Sequence, residues 1–171
     1  MRLCLIGMSM LILNFHIMAQ QPYEIIKDSS TGIKIFKGII SEELLIHENS
    51  FTWMSADLSG YSPKRDLIDL LINNKDNIHL IVFAGTWCED THYILPRLFK
   101  LLHLAAYPKE KISLLGVDRR KQTLGFLAES LSISRIPTII IMHKGKERGR
   151  IIEYGKHGNT DTDFKEILES L

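Results

Sequence analysis

The chain has 171 residues, 45% hydrophobic and 24% charged, with 21 basic and 20 acidic side chains and a formal net charge of +1. Length and composition fit one globular domain with room for an extension, large enough to bury a core without disulfides. The balanced charge gives no electrostatic reason to expect nucleic acid or an anionic membrane surface as a partner.

Residues 1–19, MRLCLIGMSMLILNFHIMA, carry Arg2 as their one firm charge and an uninterrupted weakly polar to apolar run from Leu3 to Leu13. The run is shorter than the roughly 20 apolar residues of a membrane span. Small Ala19 suits the last position before cleavage, so the segment reads as a secretory signal peptide rather than a buried N-terminal helix. Its removal takes Cys4 away and leaves Cys88 as the single cysteine, which rules out a structural disulfide within the mature chain. A lone thiol in an exported protein asks for a function.

Residues 20–61 read as an N-terminal extension: a short apolar stretch from Gly32 to Ile40, a helical turn after Ser41, then Phe51, Trp53 and Tyr61 among small polar residues. Ser62 as cap, Pro63 at the first helical position, and Leu67, Leu70 and Leu71 at helical spacing predict a first helix over 63–74. Ile78 to Ala84, IHLIVFA, has the pattern of a strand buried on both faces. Ile94, Leu95, Leu98, Phe99, Leu102 and Ala105 form a helical stripe reaching about residue 106, followed by a strand over Ile112 to Val117. Leu124, Leu127, Ala128 and Leu131 predict a third helix. Thr138 to Met142 and Arg150 to Tyr154 flank His143-Lys144-Gly145-Lys146 as a hairpin, and Phe164, Ile167, Leu168 and Leu171 line a closing helix. The alternation predicts an α/β fold, a mixed β-sheet with helices on both faces.

Cys88 stands in GTWCEDTH, where a strand hands over to a helix. Unpaired N–H groups and the positive end of the helix dipole there favour thiolate over thiol. Thr91, three residues on, is expected on the same side of the first turn, offering its hydroxyl to the sulfur. Glu89 and Asp90 either oppose the thiolate or face water at a helix start, and His92 is either a proton donor to the sulfur or a solvated helix residue. A metal site on Cys88 and His92 lacks further ligands at suitable spacing. Arg119, Arg120 and Lys121 either line the rim of the thiol site or begin a solvated helix. Lys144, Lys146, Arg148 and Arg150 suit the polar face of an edge pair. No cofactor is expected, since no phosphate-binding glycine loop, paired catalytic carboxylates or Ser-His-Asp order stands out.

The run IVFAGTWCEDT, Pro96 eight residues after the cysteine, Val117-Asp118, and Ile136-Pro137-Thr138 ahead of a hairpin together resemble the thioredoxin-like superfamily over residues 62–171. The resemblance implies a strand–helix order like the one above, with Cys88 as nucleophile and Thr91 beside it as the catalytic pair. It also implies partner binding by Trp87, Ile136, Pro137 and Thr138, with Pro137 in a cis peptide beside the nucleophile; the plainer alternative is a trans proline opening an edge strand. Pro96 matches the family's kink in the active-site helix. Two positions depart from the family pattern: Thr91 stands where the second cysteine of C-x-x-C would be, and Val82 where many members carry a buried acid. What remains is monothiol exchange with protein or small-molecule thiols and disulfides, in the bacterial periplasm or outside the cell, with no stable membrane span after cleavage. The competing readings are a non-catalytic module that binds peptides or partners, and a peroxide sensor at Cys88.

Overall fold

The computed structural model describes residues 21–171; the segment read as a signal peptide lies outside the described residues. Six strands form one sheet in the order β1-β2-β4-β3-β5-β6. They are β1 (Tyr23–Lys27), β2 (Lys34–Ile40), β3 (Ile78–Ala84), β4 (Ile112–Gly116), β5 (Thr138–His143) and β6 (Lys146–Ile152). β3 and β4 run parallel and every other neighbouring pair is antiparallel. The helices are α1 (Glu42–His47), α2 (Arg65–Asn74), α3 (Glu89–Leu104), α4 (Leu127–Ser130) and α5 (Thr160–Glu169).

The apolar run of β3 is explained by its central position, since it has a partner on each side and a core on each face. Leu80, Val82 and Ala84 face a larger cluster with Leu67 and Leu71 of α2, Ile94 to Leu102 of α3, and Phe164 and Leu168 of α5. Phe83 faces a smaller cluster with Leu115, Val117, Ala128, Ile133, Ile136 and Ile140. Val82 is therefore an ordinary core residue at 1% exposure. The α2 stripe starts at Arg65, two residues later than predicted, because Lys64 is still extended.

The first part of residues 21–61 is built into the sheet. β1 and β2 form a hairpin, and β2 pairs with β4 through Gly38–Gly116, Ile39–Leu115 and Ile40–Leu114. A Cβ on Gly116 would stand 2.1 Å from the Phe36 carbonyl oxygen, so this seam closes only around glycine. Beyond β2, Ser41 caps α1 by accepting the Leu44 amide, and Lys100 of α3 donates to the carbonyls of Leu58 and Tyr61.

Two predicted elements need correction. The third helix is broken: Leu124–Phe126 is a 3-10 turn and only Leu127–Ser130 is α-helical. Gly125 and Phe126 take left-handed φ of 67° and 55°, which turns the helical stripe outward and leaves Leu124 and Leu127 exposed. In the hairpin, left-handed φ at Lys144 and Gly145 makes the tight turn, so β6 starts at Lys146 rather than Arg150.

Candidate functional site

Cys88 is the N-cap of α3, at the end of a short turn from β3. Its amide donates to the Gly85 carbonyl (2.9 Å) and its carbonyl accepts from His92 N–H (3.0 Å), which fixes the residue at both ends. The turn is tight because Gly85 has no side chain. A Cβ there would meet Ile136 Cδ1 at 2.6 Å and the Trp87 indole at 3.0 Å. Trp87 and Cys88 pack against the smaller core cluster, both half-buried.

The thiol donates to the Ile136 carbonyl at 3.8 Å, a sulfur-length contact. The next peptide, Ile136–Pro137, is cis. Thr138 then starts β5 opposite Phe83 and Ile152, its hydroxyl donating to the Arg135 carbonyl (2.7 Å). Cys88, Trp87 and Ile136 thus meet directly, with Pro137 and Thr138 following in the same loop.

Thr91 is in the active turn but with a different job from the one expected. It is fully buried, and its hydroxyl oxygen accepts the Gly85 amide at 3.2 Å instead of reaching the sulfur. It holds the loop that carries the cysteine. Glu89 is exposed, in keeping with a helix start in water. Asp90 accepts from the Tyr154 hydroxyl at 3.0 Å, and burial together with this carboxylate pushes the Tyr154 phenol up.

His92 is neither a solvated helix residue nor turned to the sulfur. Its Nε2 is 2.9 Å from the Thr86 carbonyl, and because a carbonyl only accepts, Nε2 carries the proton. Its ring stacks on Trp53 with centroids 4.4 Å apart. The Thr86 hydroxyl in turn donates to the Lys34 carbonyl (3.0 Å) and accepts the Phe36 amide (3.2 Å). On the other side, Trp87 Nε1 donates to the Val117 carbonyl (3.1 Å), and Arg119 lies 4.9 Å above the indole while pairing with Asp28. The segment Arg119–Lys121 is a tight loop closed by Asp118, not a helix start, since Asp118 accepts the Arg120 and Gln122 amides and Lys121 has φ 62°. The Ser30 hydroxyl, then Arg119, hold the Asp28 carboxyl well below the usual range.

Asp28, Trp53, Thr86 and Tyr154 had no part in the site as read from the sequence: Asp28, Trp53 and Tyr154 lie 35 or more residues from Cys88 and stand in no pattern that ties them to it. Only Gly85 and Thr86, beside the cysteine, carried a nearby signal, the small residues of a tight turn. Among the described residues, the one group of three side chains close enough to hold a metal ion is His157, Asp163 and Glu166. Lys156 and His157 already bond Glu166, and the Lys156 and His157 amides donate to Asp163. Cys88 has no part in it.

Among known proteins, the chain is 28% identical to thioredoxin-1 of Saccharomyces cerevisiae over 78 residues, which covers 46% of this chain and 70% of that protein. Solved structures it resembles include mitochondrial thioredoxin 3 of the same yeast in its oxidised form (24% identity, TM-score 0.40, 61% of this chain and 90% of that one). Another is a Pseudomonas aeruginosa protein of unknown function (16% identity, TM-score 0.46, 77% of this chain and 99% of that one). The thioredoxin family model matches residues 64–169, the stretch that holds β3, Cys88 and the Ile136–Pro137 loop, and the chain belongs to the thioredoxin family.

Proposed function

We propose that this protein exchanges thiols and disulfides outside the cytoplasm through Cys88 alone. The observation that supports it most is the placement of the Cys88 sulfur at the N-cap of α3, against the Ile136 carbonyl and beside the Pro137 loop, in a thioredoxin-family chain. Cys88 is the one cysteine of residues 20–171, so the cycle needs an external thiol. In the first step the Cys88 thiolate attacks one sulfur of a substrate disulfide, forming a mixed disulfide and releasing the other sulfur as a thiolate. In the second, an external thiolate attacks the substrate sulfur of that mixed disulfide, takes it into a new disulfide and returns Cys88 as thiolate. No net oxidation of the protein occurs.

The partner's extended chain would lie along Trp87 and the Ile136-Pro137-Thr138 loop, where Pro137 has no amide to compete for pairing. Thr91 acts indirectly, by holding Gly85. Two-dimensional gels of cells expressing wild type or Cys88→Ser test the reading. Disulfide-linked partners that vanish in the variant support it; none in the wild type sinks it. The export half is checked on the product purified from the periplasm or the medium, whose N-terminus should begin at Gln20, whereas a chain retaining Met1 in the cytoplasm removes that half.

The second reading, a docking module without catalysis, is favoured by the absence of a second cysteine at Thr91. Partner binding that persists unchanged in Cys88→Ser, without any mixed disulfide, would select it.

A further inference from the structure

The loop Gly85-Thr86-Trp87-Cys88 meets chain from outside the family match directly at Thr86 and, through Arg119, at Trp87. Thr86 is held by the Lys34 carbonyl and Phe36 amide of β2 through its hydroxyl, and by His92 through its carbonyl. His92 comes from α3, but its ring is fixed by Trp53, which lies in the 3-10 turn Thr52–Ser55 and packs on Phe51 at 5.7 Å. Trp87 is covered by Arg119, which Asp28 anchors from the turn after β1.

Thr86 precedes Cys88 by two residues, so a rotation of its peptide moves the sulfur relative to the Ile136 carbonyl. The hydrogen bond from His92 Nε2 to the Thr86 carbonyl opposes that rotation, and the Trp53 stack sets the plane of the imidazole. We propose that His92, held by Trp53, is a positioning residue for the Cys88 thiol, so that the reactivity of the nucleophile depends on residues 21–61 as well as on the thioredoxin-family region. This rests on the reading of Cys88 as a reactive thiol and adds what orients it. Proper orientation matters because small displacements of a reacting atom cost large factors in rate.

The test uses residues 20–171, in which Cys88 is the one cysteine, and two assays on each variant: carbamidomethylation of Cys88 by iodoacetamide, and exchange with a small aromatic disulfide. His92→Leu keeps bulk and removes the donor; His92→Gln returns a donor at the Nε2 position. A net hydrogen bond of about 0.5–1.5 kcal/mol corresponds to roughly a two- to tenfold change in rate. His92→Leu should slow alkylation by that factor with its melting temperature little changed, and His92→Gln should recover most of it. Trp53→Leu, which removes the stack, should match His92→Leu, while Trp53→Phe stays near wild type. If His92→Leu does not fold, the Trp53 pair decides in its place. Wild-type alkylation rates in both His92→Leu and Trp53→Leu, or no recovery in His92→Gln, overturn the proposal. Alkylation does not depend on turnover, so a wild type that alkylates but fails to exchange disulfides would defeat the proposed function and leave the positioning role standing.

Discussion

Residues 21–61 and the family region 64–169 share one sheet but meet Cys88 in different ways. The later region supplies the thiol, the helix it caps and the Ile136–Pro137 wall. The earlier one supplies no reacting atom, only contacts behind the loop from Lys34, Phe36, Trp53 and Asp28. The chemistry is thus local to a strand end and a helix start, whereas its support is assembled across the β2–β4 seam. A substitution on one side should abolish reaction, and one on the other should loosen what holds it.

The largest expected effect is on the reacting side. In residues 20–171, Cys88→Ser should remove thiol alkylation and disulfide exchange completely while leaving the unfolding free energy in urea within about 0.5 kcal/mol of wild type, since the sulfur is only half-buried. Residual exchange in the variant would place the reaction elsewhere.

The next effect lies on the supporting side. Phe36 is 1% exposed, stacks on Tyr23 at a centroid distance of 5.6 Å and meets Phe51 edge-on at 5.1 Å. Phe36→Ala should cost about 3–5 kcal/mol through lost burial and the cavity left behind, read from chemical denaturation. A cost below about 1 kcal/mol would mean that residues 21–61 can detach from the sheet without unfolding the remainder.

Gly116→Ala tests the seam itself. Its added methyl meets backbone rather than a flexible side chain, so β2 or β4 must shift, at about 1–3 kcal/mol. The same variant should also slow Cys88 alkylation, because Phe36 N and Lys34 O move with β2. Alkylation at the wild-type rate in a destabilised Gly116→Ala would separate the seam from the loop.

Acid gives the smallest effect. Asp28 is held down by Ser30 and Arg119, and Glu48 is lowered to about 2 by Lys34 and then Ser50. Both carboxyls are more acidic folded than unfolded, so their contribution is present above the unfolded value of roughly 4 and is lost as pH falls through the folded one. Urea midpoints should therefore decline below about pH 4, and Glu48→Gln should flatten part of the decline. A level midpoint down to about pH 2 would contradict the role of these pairs.

How much could be read in the chain beforehand depended on the range of the signal. β3 and α3 were visible because a seven-residue apolar run and an apolar stripe at helical spacing each state their own burial. Leu124, Leu127, Ala128 and Leu131 had the same spacing yet did not make one continuous helix, since Gly125 and Phe126 turn the backbone left-handed and Leu124 packs near Gly38 instead. Cys88 was expected from its strand-to-helix junction, and Trp87 and the Ile136–Pro137–Thr138 loop from the family resemblance. The role of Thr91 on the Gly85 amide, in place of the one expected at the sulfur, depends on which rotamer fills a buried turn, which no spacing states.

By itself the sequence determined the class of fold, the place of the thiol at a strand-to-helix junction and the lack of a second thiol beside it. These follow from local periodicity and from residues adjacent in the chain. Tertiary structure alone decided that residues 23–40 form a hairpin on the sheet, that His92 bonds Thr86 under Trp53, and that Arg119 bridges Asp28 and Trp87. Those contacts join residues 6 to 91 positions apart, and their partners are selected by sheet order and packing, which arise only when the whole core closes.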